Sequence, residues 1–147
     1  MKDKLIMLGW IIGLLLLISV LWVVTQPLQS MYLLRTVNSV LSNNNDSRRV
    51  SAYIQPKTGN TNLFGYWYSI RASQDKMFVF AAFQDGILIP LGAFVSHDCI
   101  VKEIIPLSAH AVQVFDSFPK SILNIYTARI EEAAHDVTAA LTEAGGR

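Results

Sequence analysis

The sequence predicts an α+β protein, with one N-terminal transmembrane helix followed by a small antiparallel sheet packed on a C-terminal helix. Three observations lead to this fold class. Residues 5–24 carry no charge, residues 50–107 form short apolar runs separated by turn residues, and apolar residues recur at helical spacing near the C-terminus. The 147 residues suffice for one domain beside the helix, and 52% hydrophobic against 16% charged residues is apolar for a soluble domain.

The N-terminal stretch LIMLGWIIGLLLLISVLWVV has the length and composition of a transmembrane helix. Its only polar residue is Ser19, and at about 1.5 Å per residue it spans the ~30 Å hydrocarbon core of a bilayer. A cleaved signal peptide has a shorter apolar region, usually about 7–15 residues, and ends at small residues. The exit here reads WVVTQPLQS. The sequence therefore predicts an uncleaved anchor at residues 5–24.

Basic residues near the span predict its orientation. Lys2 and Lys4 precede the span, whereas Arg35 is the one basic residue among residues 25–44. Positively charged flanks are retained in the cytoplasm. We therefore expect a cytoplasmic tail at residues 1–4, a single pass through the cytoplasmic (inner) membrane, and an extracytoplasmic domain.

Two features of the sequence concern partners. Gly9 and Gly13, in GWIIG, lie on one face of the span. Such a pair lets another helix approach closely, which predicts contacts with other membrane-protein subunits, although glycine is also common in membrane helices by chance. The net charge is +1 and no basic stripe is interleaved with aromatic residues. We therefore expect no nucleic-acid partner.

A second helical pattern follows Pro27. Apolar residues fall three or four positions apart at Leu28, Met31, Leu34, Val37 and Leu41. This spacing predicts a juxtamembrane amphipathic helix at residues 28–42, which the polar loop SNNNDS ends. The α+β domain is then expected at residues 48–147.

The middle of the chain predicts an antiparallel meander of three to five strands. Strand-forming runs are RRVSAYIQP, YWYSIRAS, KMFVFAAF, ILIPLGAFV and IVKEIIPL. Residues 57–65 are turn-rich, and Asp85-Gly86 is a hairpin turn signal. Pro90 predicts an edge position, a bulge or a break. After the strands, Ile122, Ile125, Ile130, Ala133, Val137 and Leu141 predict a helix that Gly145 and Gly146 end.

The segment SHDC holds His97, Asp98 and the chain's single cysteine, Cys99. All three are residue types used in catalysis, but a nucleophilic cysteine needs a base and a positive neighbour, and zinc needs about four ligands. His97, His110 and His135 do not form a ligand spacing with Cys99. We expect a plain hairpin turn, with Cys99 half-buried at the start of a strand.

Other reactive residue types also lack a catalytic arrangement. Glu131 and Glu132 are adjacent and point different ways on a helix, so they do not form an acid/base pair. Tyr66, Trp67 and Tyr68 alternate between the faces of a strand. They either fill a small core or place one or two rings against a flat ligand. The sequence argues against an enzyme and against a bound metal.

The order of these features resembles a known family. VTQPLQSMYLLRTVNSVLS, YSIRASQDKMFVFAAFQDGILIPLGAFVSHDCIVKEIIPLSAH and ARIEEAAHDVTAALTEAGG are similar to segments of the G subunit of Rnf electron-transport complexes and the C subunit of sodium-pumping quinone reductases. The resemblance covers most of the chain and implies an FMN-binding fold, with cofactor contacts at Thr127, Ser108 and His110. The family's Gly-Ala before the flavin-bearing threonine is replaced here by Ile125 and Tyr126.

Two functions follow as predictions. The first is a membrane-anchored accessory or structural subunit of a membrane or envelope complex, with an FMN-binding-like domain and no cofactor or catalysis of its own. The alternative is a membrane-anchored electron-transfer flavoprotein that resembles the Rnf G subunit, with FMN at or near Thr127. In that case the flavin supplies the redox chemistry and the protein only binds and orients it.

Overall fold

The computed structural model describes residues 2–54 and 65–145 of the chain. The chain divides into two compact units, Met1–Arg35 and Thr36–Arg147. The elements in chain order are α1 (Lys2–Asn43), β1 (Val50–Ile54), β2 (Gly65–Ile70), β3 (Lys76–Gln84), β4 (Ile87–Val95), β5 (Val101–Pro106), α2 (Ala109–Phe115) and α3 (Lys120–Gly145). Most of the predicted turn-rich segment, residues 57–64, lies outside the described residues.

The first unit consists of the N-terminal part of α1. Its apolar side chains are exposed, with Trp10 at 78% and Trp22 at 66%. The hydroxyls of Ser19 and Thr25 donate to the carbonyls of Leu15 and Leu21 at 2.8 Å each, so the helix itself satisfies these two hydroxyls. Among the described residues, α1 is the one helix long and apolar enough to cross a membrane.

Helix α1 is continuous, although the sequence predicts two separate helices in this region. It runs through Pro27 as one helix to Asn43, rather than as a span and a separate helix at residues 28–42. A proline removes one backbone hydrogen bond and so weakens a helix without always ending it. The helix ends where the polar loop was expected, with Asn45 at φ 55° and the Asp46 N–H donating to the Leu41 carbonyl at 2.9 Å.

The last two turns of α1 belong to the second unit. Val37 and Leu41, two of the predicted apolar positions, are each 1% exposed. The side-chain amide of Asn38 donates to the Val50 carbonyl at 2.9 Å and accepts from the Val50 N–H at 2.8 Å. These two hydrogen bonds tie the end of the helix to edge strand β1.

The five strands form one antiparallel meander in the order β1-β2-β3-β4-β5, as the sequence predicts. Asp85 and Gly86 form the two-residue turn between β3 and β4, with φ of 50° and 82°. Both values are those of a type I′ turn, whose twist matches the flanking strands.

Pro90 lies in an interior strand, not in an edge strand. Its carbonyl accepts from the Leu107 N–H at 3.0 Å. In an antiparallel strand, the N–H and carbonyl of one residue face the same neighbour, and the pairing of β4 with β5 begins only at Leu91 with Pro106. The missing N–H of Pro90 would face the Leu107 carbonyl, one residue past the last β4–β5 pair, so the proline costs only a bond at the end of that ladder.

One face of the sheet packs on α3 and α2. Trp67, Phe78 and Leu91 belong to the same buried cluster as Ile130, Ala134 and Val137 of α3, which confirms the predicted α+β fold. Helix α2 was not predicted, because its seven residues are too short to show a helical period. Its Ala111 is fully buried in the same cluster.

The other face of the sheet buries Tyr68, Met77 and Phe94. The guanidinium of Arg48 lies 3.6 Å from the centre of the Phe94 ring. Arg48 is held there by hydrogen bonds to both Asp46 oxygens and by Glu103 at 2.9 Å. The chain that follows α1 is thus fastened to the sheet.

Candidate functional site

The predicted SHDC turn is confirmed. The Cys99 N–H donates to the Ser96 carbonyl at 3.0 Å, and the Ser96 N–H donates to the Ile100 carbonyl at 2.8 Å. Cys99 has φ 63°, the left-handed conformation that usually closes a three-residue hairpin loop. His97 and Asp98 are exposed, with Nδ1 3.0 Å from Oδ1.

Cys99 is buried, at 4% exposure, and not half-buried as expected. Its Sγ lies 3.4 Å from Thr138 Oγ1 on α3. That hydroxyl donates to the Ala134 carbonyl at 2.8 Å and accepts from Lys76 Nζ at 2.9 Å. The burial arises because the turn packs directly against α3.

Lys76, Thr138 and Cys99 form a buried cluster, called here the Lys76 cluster, that sequence reasoning missed. Lys76 is only 7% exposed. Among the residues whose side chains are described, no carboxylate lies within 4.0 Å of Nζ. The cluster joins an ammonium, a hydroxyl and a thiol, but a substrate has no access to the Cys99 thiol. Its chemistry is that of a structural contact between the sheet and α3.

The three predicted cofactor residues lie on two helices. Ser108 is the N-cap of α2, and its hydroxyl accepts from the Ala111 N–H at 3.0 Å. His110 is exposed in the first turn of α2, and Thr127 is partly exposed in α3. Within the described part of the chain, no hydrogen bond joins any two of them.

The residues before Thr127 lie inside α3, not in a loop. Tyr126 packs on Phe80 with ring centres 5.3 Å apart, and its hydroxyl accepts from the Phe83 N–H at 3.4 Å. Thr127 is well past the first four residues of α3, where backbone donors are free. A phosphate near Thr127 would therefore find the backbone N–H groups already bonded within the helix.

The three aromatic residues of β2 divide between the faces, as predicted. Trp67 is buried against α3. On the other face, Tyr53 lies 5.9 Å from Tyr66 and 6.0 Å from Tyr68, measured between ring centres. Burial, with smaller contributions from Tyr66 and Tyr53, raises the pKa of Tyr68 to about 12. Tyr68 fills the core, and Tyr53 remains 42% exposed.

Acidic and metal-binding side chains do not assemble into a site. Over residues 2–54 and 65–145, no group of three His, Cys, Asp or Glu residues is placed to hold a metal ion. Glu131 accepts from the Val101 N–H at 2.9 Å and so satisfies a backbone donor at the start of edge strand β5. Its neighbour Glu132 is exposed.

In the first unit, Gly9 and Gly13 open a groove on α1. A Cβ at either glycine would meet no atom within 4 Å. Trp10, Leu14 and Leu17 complete the lining of this groove, which has a volume of about 560 Å³. Its walls are apolar, so it suits another apolar helix.

Comparison with known proteins leaves the chain without an assigned family. No protein-family model matches it, and neither the curated proteins nor the solved structures contain a significant match.

Proposed function

We propose that this protein is a single-pass, membrane-anchored accessory or structural subunit of a membrane or envelope complex, with its α+β domain outside the cytoplasm. The exposed apolar surface of α1 is the observation that carries the proposal. The window of greatest hydropathy in α1 is 0% buried. Leaving that surface in water costs about 25 cal/mol for each Å², which a bilayer removes.

The reactive side chains make structural contacts within the domain, which supports an accessory role. Ser108 caps α2, Cys99 is buried at Thr138, and Glu131 bonds the backbone of β5. Each of these groups serves the fold, and a catalytic nucleophile instead needs an accessible site and a positioned base.

The groove at Gly9 and Gly13 is the proposed contact with a helix of a partner subunit. Inside a bilayer, helices associate through close packing rather than through the hydrophobic effect, and glycine permits the closest backbone approach. The orientation, with Lys2 and Lys4 in the cytoplasm, follows from the charge difference across the span.

The electron-transfer alternative rests on the sequence resemblance, with FMN at or near Thr127. The helical backbone and the packed Tyr126 ring before Thr127 favour the accessory role over this alternative.

The test has two parts, both on the full-length chain. Membranes are washed at alkaline pH, and we expect the protein to stay in the pellet. Release into the supernatant would overturn the anchor. The protein purified in detergent is then examined by absorption and by in-gel fluorescence after denaturation. We expect no flavin bands, whereas a covalent flavin lost in Thr127→Ala would establish the alternative.

A further inference from the structure

Strands β1 and β5 form the two edges of the described sheet. The outward N–H and carbonyl groups of an edge strand can pair with a strand of another chain, which is a route to aggregation. In this domain, each of the two edge strands is hydrogen-bonded by a polar side chain of a helix. The side chain comes from α1 at β1 and from α3 at β5.

The amide side chain of Asn38 bonds β1 as a neighbouring strand would. Its Nδ2 donates to the Val50 carbonyl at 2.9 Å, and its Oδ1 accepts from the Val50 N–H at 2.8 Å. A strand added beside β1 would make the same two bonds, because the N–H and carbonyl of one residue face the same neighbour. Val37 and Leu41 are each 1% exposed, so the packing of α1 holds the amide at this position.

Glu131 and Pro106 close β5 near its two ends. Glu131 Oε1 accepts from the Val101 N–H at 2.9 Å at the start of the strand, and Pro106, its last residue, has no N–H. The Leu107 N–H donates to β4, so Ile104 and Pro106 face outward by the alternation of the strand. The outward N–H of Ile104 therefore lies between two positions that offer an added strand no free N–H.

Both edge strands also contain a β-bulge. The register between β1 and β2 shifts at Ser51, which is the extra residue of β1. The register between β4 and β5 shifts at Lys102, which is the extra residue of β5. The pairs β2–β3 and β3–β4 run in unbroken register. The irregularities are thus confined to the edges, where bulges and lysine disfavour the addition of a strand.

We propose that Asn38 and Glu131 are edge-closing residues, which prevent β1 and β5 from pairing with a strand of a second copy of this chain. Each follows a buried apolar residue of its helix, Val37 or Ile130. An apolar side chain at either position would leave the strand N–H without its bond. Each polar side chain thus satisfies a backbone group and removes it from use by another chain. The inference concerns the domain alone and does not rest on the membrane anchor.

The test opens the β5 edge in the full-length chain, purified in detergent. Glu131→Ala frees the Val101 N–H, and Pro106→Val adds an N–H at the other end of the strand. We expect the double variant to form about tenfold more of the species larger than the wild-type protein, measured by light scattering after size-exclusion chromatography. Asn38→Ala frees both backbone groups of Val50 at the β1 edge and should act in the same direction.

Hydrogen exchange identifies the strand that holds the larger species together. The Ile104 N–H faces outward and should exchange rapidly in the wild-type chain. When a second strand pairs with β5, this N–H becomes a donor within the enlarged sheet. In the double variant, we expect the Ile104 N–H to exchange about tenfold more slowly in the larger species than in the species of wild-type size.

Three control variants separate an opened edge from a general loss of stability. Glu132→Ala and Ser39→Ala change the exposed neighbours of the two edge-closing residues and should leave the size of the protein unchanged. Thr138→Val removes the acceptor of Lys76 on α3 and destabilises the domain with both edges closed. It should therefore not form the larger species under conditions in which it is folded.

Folding of each variant is scored by a cooperative urea transition of Trp67 fluorescence. A folded double variant of wild-type size would overturn the proposal. So would equal self-association of Glu132→Ala or Thr138→Val, or larger species in which the Ile104 N–H still exchanges rapidly. If the double variant shows no cooperative transition, Glu131→Ala alone, with Pro106 in place, is held to the same criteria.

Discussion

The Lys76 cluster leads to a quantitative prediction about stability. Thr138→Val keeps the shape of the side chain but removes the oxygen that accepts from Lys76 Nζ at 2.9 Å. A hydrogen bond to a charged group contributes about 1.5–3 kcal/mol, and leaving a buried donor unpaired costs a similar amount. Because Lys76 is only 7% exposed, water does not readily replace the lost acceptor. We expect Thr138→Val to lower the free energy of unfolding by about 2 kcal/mol.

The loss of stability caused by Thr138→Val should depend on the charge of Lys76. Lys76→Met removes the buried ammonium and keeps most of the side-chain volume, a change that is often neutral or stabilising for a buried charge. In the Lys76→Met background, Thr138→Val no longer leaves a charge without its acceptor. Its cost should then fall below about 1 kcal/mol, and the difference is the coupling free energy of the pair.

This coupling is measured by urea unfolding in detergent of the wild-type chain, Thr138→Val, Lys76→Met and the double variant, with Trp67 fluorescence as the signal. Trp67 is 2% exposed, so unfolding of the domain moves it into water. With a slope of about 1–3 kcal/mol per M, a loss of 2 kcal/mol lowers the urea midpoint by about 1 M. An equal cost of Thr138→Val in the wild-type and Lys76→Met backgrounds would refute the reasoning, because the two side chains would then be energetically independent.

Three further predictions concern the rest of the chain. In the same urea assay, Gly65→Ala should destabilise the domain by about 3 kcal/mol and Gly92→Ala by about 1 kcal/mol. A Cβ at residue 65 meets the Phe78 ring and the Val79 carbonyl, whereas a Cβ at residue 92 meets the movable end of Met77. A larger loss of stability in Gly92→Ala than in Gly65→Ala would contradict this prediction. Hydrogen bonds from Arg48 lower the pKa of Asp46, so the stabilisation that they give is present above about pH 4 and is lost as the pH falls through the folded-state pKa. In Asp46→Asn, the free energy of unfolding should therefore fall less steeply as the pH is lowered into the acid range. An unchanged slope would contradict this prediction. Gly13→Ile fills the open groove on α1 and should shift the protein from a complex to the free chain in native gels of solubilised membranes. The control variant Ile18→Leu lies away from the groove and should not cause this shift. The same migration of both variants would exclude the groove as the contact.

Local patterns were enough to predict most of the fold. Strand β4 has the bounds of the run ILIPLGAFV, and the Asp85-Gly86 turn follows from two residues that accept positive φ. The end of α3 at Gly145 follows from its glycines. Each of these features depends on residues next to one another in the chain, and such residues are visible in the sequence.

The candidate site was less predictable, because it depends on contacts between distant segments. Lys76 and Thr138 are 62 positions apart, and no local pattern relates them. The predicted half-burial of Cys99 was wrong because the turn packs on α3. Ser108 was expected near a cofactor through the resemblance, whereas its hydroxyl caps a short helix. Thr127 as a flavin-attachment residue stays a prediction.

The sequence by itself determined the apolar helix, the order of the strands and the final helix, since hydrophobic period and turn chemistry are local properties. Only the tertiary structure decided which side chains bond or pack within the fold and which stay exposed. The ammonium of Lys76 is buried because Lys76, at the start of β3, packs against Thr138 of α3, which is 62 positions away in the chain. Burial depends on the relative lengths and packing of separate elements, and no single segment of the sequence contains that information.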